Sequence, residues 1–143
     1  MVTTQHGSRK GSDNNLIVLT IKGEPASKAN SRRLVLMGGK PRFIKSKKAL
    51  AYKKSVDLQC PVSSELLDQD LAIAMKIYYR TRRPDLDESL ILDLLQDKVY
   101  KNDRSIKMKY VLHGLDKENP RTVLVVGPVE NKDEIISTLS KLV

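Results

Sequence analysis

The chain holds one cysteine, one phenylalanine and no tryptophan, and it has no long apolar run. A lone Cys60 excludes an intrachain disulfide framework and a multi-cysteine zinc site, and suits a reducing compartment. No stretch approaches the roughly 18 consecutive apolar residues of a membrane span. Residues 1–15 are polar and lack the apolar centre of a signal peptide, so they read as a flexible tail ahead of one domain over 16–143. Together these absences predict a soluble, cytoplasmic protein with neither a membrane partner nor a small-molecule cofactor. Aromatic residues at 4% leave little surface for stacking on bases.

Acidic residues are scarce in one half only. Residues 1–60 carry 13 Lys+Arg against 3 Asp+Glu, whereas residues 61–143 carry 13 against 14. The net charge of +9 is therefore concentrated where it can attract a polyanion.

Hydrophobic periodicity orders the elements. The β-branched run over 16–21 reads as a strand that turns at Gly23-Glu24-Pro25. A polar, basic loop over 25–33 follows, and then residues 34–37 and 42–44 flank Gly38-Gly39-Lys40-Pro41 as a hairpin. Ser46 is placed to cap a lysine-rich helix with Leu50, Tyr52 and Val56 inward, closed by Pro61. Leu71, Ile73, Met75 and Ile77 alternate as in a strand reaching Tyr79. Leu90, Ile91, Leu94 and Leu95 recur at helical spacing. Residues 106–112 and 122–126, separated by the turn formers of 114–120, read as a second hairpin. A last helix starts at Asn131 or Lys132, with Ile135, Ile136, Leu139 and Leu142 on one face. The sum is a single α/β (α+β) domain with a mixed sheet and about three helices.

Two carboxylates stand two residues apart in Arg82-Arg83-Pro84-Asp85-Leu86-Asp87, where an extended segment enters a helix, and Pro84 favours that extended entry. Asp103 follows the helix, at the start of the next strand. Hard divalent cations take oxygen ligands, commonly one or two carboxylates with waters and phosphate oxygens, so these aspartates are candidate magnesium ligands. The plainer reading of the same residues is structural. Asp85 with Glu88 resembles a capping box, and Asn102-Asp103 is common turn composition. His6 and His113 belong to no ligand motif.

The run Arg83-Pro84-Asp85-Leu86-Asp87, the helix with Ile91-Leu92-Asp93-Leu94-Leu95 and the closing Val99-Tyr100-Lys101-Asn102-Asp103-Arg104-Ser105-Ile106 resemble, in order and spacing, the RusA family of Holliday junction resolvases of phages and prophages. Gly23, Pro25, Lys28, Asn30, Arg32 and Arg33 resemble that family's opening strand and basic loop. The resemblance covers roughly residues 16–126. It implies a RusA-like fold, a homodimer with one site per subunit, and Asp85, Asp87 and Asp103 as catalytic, metal-binding residues for Mg²⁺, with Mn²⁺ as a substitute. Glu88 stands where many members have Asn and is a further candidate ligand. Ile91 stands where many have a catalytic Lys, a role for which Lys28, Lys98 and Lys101 are candidates.

The function so implied is paired symmetric nicking of four-way DNA junctions in recombination and repair, each cut leaving a 5′-phosphate and a 3′-hydroxyl. Lys28, Asn30, Arg32, Arg33, Lys45, Lys47, Lys48, Lys53, Lys54, Arg82, Arg83 and Lys101 are the expected DNA-facing residues. Two other functions fit the same residues: a non-catalytic basic DNA-binding module, and a nuclease acting on flaps or other branched DNA.

Overall fold

Leu71–Tyr79 (β5) is apolar on both faces over Leu71–Met75, with Lys76 its one charged residue, and most of its side chains are fully buried. A strand of that kind belongs in the middle of a sheet covered on two sides. In the computed structural model, which describes residues 4–6, 16–27, 32–60, 62–63 and 65–143, it lies there. The other members of its sheet are Thr4–His6 (β1), Ile17–Lys22 (β2), Ile106–Leu115 (β6) and Arg121–Pro128 (β7), in the order β1-β2-β7-β5-β6. β5 pairs antiparallel with β7 and parallel with β6, so the sheet is mixed.

The two faces of β5 bind different layers. Ile73, Met75, Ile77 and Tyr79 join one core with Lys47–Gln59 (α1) and Ser89–Leu95 (α2). Ala72 and Ala74 join a second core with Ile135 and Leu139 of Lys132–Leu142 (α3). The result is a single α/β domain in which helices cover both faces of a mixed sheet, with three α-helices among the described residues. None of these helices is long and apolar enough to cross a membrane.

Arg32–Met37 (β3) and Lys40–Lys45 (β4) form a separate two-stranded ribbon. Its turn is Gly38-Gly39, with φ of +59° and +78°. Left-handed backbone at both central residues is what a two-residue hairpin turn demands, and glycine adopts it without steric cost.

Several expectations hold. The early strand, the ribbon, the central strand and the three helices occur close to their predicted positions, and Ser46 Oγ accepts the Ala49 amide at 3.2 Å as the cap of α1. Others need correction. The predicted hairpin of 106–112 with 122–126 does not form, because β5 lies between β6 and β7. The strand buried on both faces takes the position between its neighbours, and β6 is reached by a parallel crossover through α2. In α1 the inward residues are Ala49, Tyr52 and Val56, at spacings of three and four, and Leu50 is exposed. In α3, Leu142 at the last position is exposed. Within the expected tail, Thr4–His6 pair antiparallel with β2. Polar residues suit an edge strand, whose bonding is carried by the backbone.

Tyr100 fixes the return from α2 to β6. Its side chain is fully buried, and its hydroxyl donates to the Leu92 carbonyl. Tyr100→Phe leaves that buried carbonyl without its donor and is expected to cost about 1–3 kcal/mol in urea unfolding. An unchanged midpoint would show that the bond is replaced by water.

Candidate active site at the β5–α2 junction

The chain leaves β5 at Tyr79 and reaches α2 through residues 80–88. The Tyr79 hydroxyl organises this segment, donating to the Asp85 carbonyl at 3.3 Å and accepting the Asp87 amide at 3.2 Å. One buried tyrosine thereby holds the backbone of both aspartates of the D-x-D pair. Burial pushes the pKa of the Tyr79 phenol above its ordinary value; the Asp87 amide offsets part of this, and the negative charges of Asp87, Glu24 and Glu88 add to it. Its other ring contact is His113 of β6, stacked at 4.8 Å between centroids.

Asp85 is exposed and Asp87 half-buried. Asp87 Oδ1 accepts the Ser89 amide at 2.9 Å, so this carboxylate takes up one of the unpaired amides at the start of α2. The capping role expected of Asp85 and Glu88 thus falls to Asp87. Glu88 makes no side-chain cap bond and instead pairs with Lys109 of β6 at 2.8 Å.

An open hollow of about 300 Å³ adjoins the pair, with Lys48, Arg83 and Asp85 in its lining beside Tyr79, Pro25 and Ser27. Two cations and a carboxylate sharing one concavity suit a ligand that carries both negative charge and a counter-cation. Lys48 Nζ also lies 3.4 Å from Glu24 Oε1, while Glu24 Oε2 accepts the Arg80 amide at 2.8 Å. Glu24 therefore ties the exit of β2 to the exit of β5. In the sequence Glu24 stands out only as part of the turn Gly23-Glu24-Pro25. The signal was its isolation, since Glu24 and Asp57 are the only acidic residues between positions 16 and 60.

Asp103 occupies a different place. β6 runs parallel to β5 and starts opposite Leu71, so Asp103, just before β6, lies toward the end of β5 where that strand begins. Asp85 and Asp87 follow the other end. The seven residues of α2 stand between, about 10 Å of helix at 1.5 Å per residue. The Asp103 amide is held by Gln96 Oε1 at 3.1 Å, just beyond α2. Among the described residues no three His, Cys, Asp or Glu side chains gather closely enough to hold a metal ion. The donors have the right chemistry for a hard cation, all carboxylate oxygens, but the three aspartates do not form a closed cage. Asp85 lines the hollow, Asp87 lies two residues on with Oδ1 on the Ser89 amide, and Asp103 is apart beyond the far end of α2.

Ile91, at the position of the family's lysine, is fully buried in the larger core and has no access to the hollow. Of the lysines considered in its stead, Lys98 pairs with Asp57 at 2.9 Å and Lys101 with Asp68 at 3.3 Å, and Lys28 lies outside the described residues. Lys48 is the lysine in the hollow itself.

The expected DNA-facing cations divide by location. Arg32, Arg33 and Lys45 are on the ribbon, Lys47, Lys48, Lys53 and Lys54 on α1, Arg82 and Arg83 in the segment before Asp85, and Lys101 after Tyr100; Asn30, like Lys28, is outside the described residues. Lys45 and Lys53 form ion pairs with Asp93 at 3.6 Å and Asp57 at 2.8 Å. Such pairs at a solvated surface contribute little and exchange readily for phosphate.

Tyr79→Phe removes both bonds to the D-x-D backbone. It is expected to cost about 1–2 kcal/mol and to speed hydrogen exchange at the Asp87 amide about tenfold or more; an unaltered exchange rate would remove Tyr79 as the organiser of the segment. No protein-family model matches the chain, and no curated protein matches it.

Proposed function

We propose that this protein is a magnesium-dependent endonuclease acting on branched DNA, with four-way junctions as its substrate and a homodimer as its working form. The observation that carries the proposal is the juxtaposition at the β5–α2 junction: Asp85 lines one hollow with Lys48 and Arg83, and Asp87 is held next to it by Tyr79. The RusA-like order of motifs supports the same reading.

In this reading Asp85 and Asp87 would hold Mg²⁺, a hard cation for which one or two protein carboxylates suffice. The ion's contribution is Lewis-acid polarisation of the phosphate and a lowered pKa for water. The chain's own contributions are separate. Lys48 and Arg83 neutralise the non-bridging oxygens of a phosphate seated in the hollow, and Arg83 offers a planar fork suited to two of them. Glu24 positions Lys48 through their ion pair. The lysines of α1 extend the positive surface away from the hollow and hold flanking phosphates without reading sequence. Asp103, beyond the far end of α2, and Glu88, paired with Lys109, are not part of this seat. Two such sites related by a two-fold axis would meet two strands of a junction symmetrically.

Asp87→Asn is the discriminating variant. Asparagine caps a helix as well as aspartate does, so the fold is kept while the ligand charge is lost. Mg²⁺-dependent nicking of a labelled four-way junction is expected to fall at least a hundredfold with binding retained. Cleavage by the variant at the wild-type rate removes Asp87 from the metal seat, and no cleavage by the wild type on four-way, flap and linear DNA compared side by side rules the nuclease out and leaves a DNA-binding module. Lys47→Glu with Lys48→Glu is expected to weaken junction binding tenfold or more at about 0.1 M salt and to flatten its salt dependence. Unchanged binding would remove α1 from the interface.

A further inference from the structure

The ribbon β3–β4 presents its apolar side to solvent. Residues directly opposite each other across a strand pair project to one face, and the faces alternate along the strand. The register places Leu34 opposite Phe43 and Leu36 opposite Pro41 on one face, with Arg32 opposite Lys45 at its base. The other face carries Arg33 with Ile44, Val35 with Arg42 and Met37 with Lys40. Val35 and Ile44 on this second face are half-buried, whereas on the first face Leu36 is 77% exposed and Phe43, the only phenylalanine in the chain, 72%. Apolar side chains grouped on one water-facing side of a ribbon are a mark of an interaction surface.

Charge selects the occupant. From Arg32 to Lys45 the ribbon has five cations and no acidic residue. Two copies meeting through this face would bring Arg32 and Lys45 of each together, whereas a polyanion meets them favourably. Apolar side chains flanked by cations match nucleic acid that has been opened, in which the phosphates contact the cations and the ring or branched side chain enters between bases. At a branch point the stacking is already interrupted, so insertion there costs least. The ribbon is also connected to the candidate site: Lys45 at its base lies 3.6 Å from Asp93 of α2, and α1, which brings Lys48 to the hollow, begins two residues after β4.

We infer that the β3–β4 ribbon is a DNA wedge, inserting Phe43 with Leu34 and Leu36 between bases at a branch point while Arg32, Arg42 and Lys45 hold the adjoining phosphates. The inference takes its ligand from the branched-DNA reading but does not depend on cleavage, so it is tested with magnesium removed by EDTA. The full chain is added to a synthetic four-way junction carrying 2-aminopurine at the branch point, whose emission rises on unstacking. The wild type is expected to raise the emission several-fold, and Phe43→Ala with Leu36→Ala to bring it within about 1.5-fold of the free junction. Because the chain has no tryptophan, Phe43→Trp supplies a single reporter whose indole emission should be quenched about twofold or more by the junction and far less by blunt duplex of equal length. Equal quenching by both DNAs, or a 2-aminopurine rise that survives the alanine pair or is missing with wild type, overturns the wedge. A sedimentation dimer that the alanine pair converts to monomer also overturns it, assigning the face to a second copy. Loss of nicking in Asp87→Asn with the 2-aminopurine signal intact would separate the wedge from the catalytic reading.

Discussion

The burial of β5 on both faces is the constraint from which the arrangement of the molecule follows. Its odd-numbered side chains from Ile73 to Tyr79 support α1 and α2, and its small Ala72 and Ala74 admit α3 on the other side. A strand covered on both sides must be central, and a central strand needs two neighbours. β7 supplies an antiparallel one and β6 a parallel one. The parallel neighbour forces a crossover, and α2 is that crossover. The segments flanking α2 therefore contain the chain's most conspicuous carboxylates, Asp85 and Asp87 at its start and Asp103 beyond its end.

The same constraint explains why the acidic residues do not collapse into one cage. A crossover helix separates the segment after β5 from the segment before β6 by its own length. The protein places Asp87 with one oxygen on the Ser89 amide and Asp103 with its amide on Gln96, so each is fixed by the end of α2 it adjoins. What joins Asp85 at the hollow is a pair of cations, Lys48 and Arg83, brought from α1 and from the segment after β5. Phosphate chemistry suits that mixture better than a closed structural metal site would.

Much of the fold was legible in the sequence because local signals agreed with global ones. Ser46 before a lysine-rich helix, Gly38-Gly39 between apolar runs and the helical spacing of Leu90, Ile91, Leu94 and Leu95 all specify structure within a few residues. The failures were non-local. Nothing in residues 106–126 says that an earlier strand will separate them, although the unbroken apolar run Leu71-Ala72-Ile73-Ala74-Met75 in β5 is a hint that it is buried on both faces. Asp85 and Asp87 were legible as a pair from their spacing, but Glu24, Lys48 and Tyr79 come to that junction only through packing of β2, α1 and β5. Ile91 illustrates the reverse case: its helical phase with Leu90, Leu94 and Leu95 already placed it in the core, where a lysine would be unpaired and costly.

The central claim is that the carboxylates of the D-x-D segment are a seat for a divalent cation. Titration of the isotope-labelled chain with Mn²⁺ in the presence of junction DNA tests it most directly, because a paramagnetic ion broadens the amide signals nearest to it. Broadening centred on residues 85–88 and extending to Tyr79 and Lys48 is the expected result. Signals at these positions that stay sharp, or broadening spread evenly over the acidic surface, would contradict it.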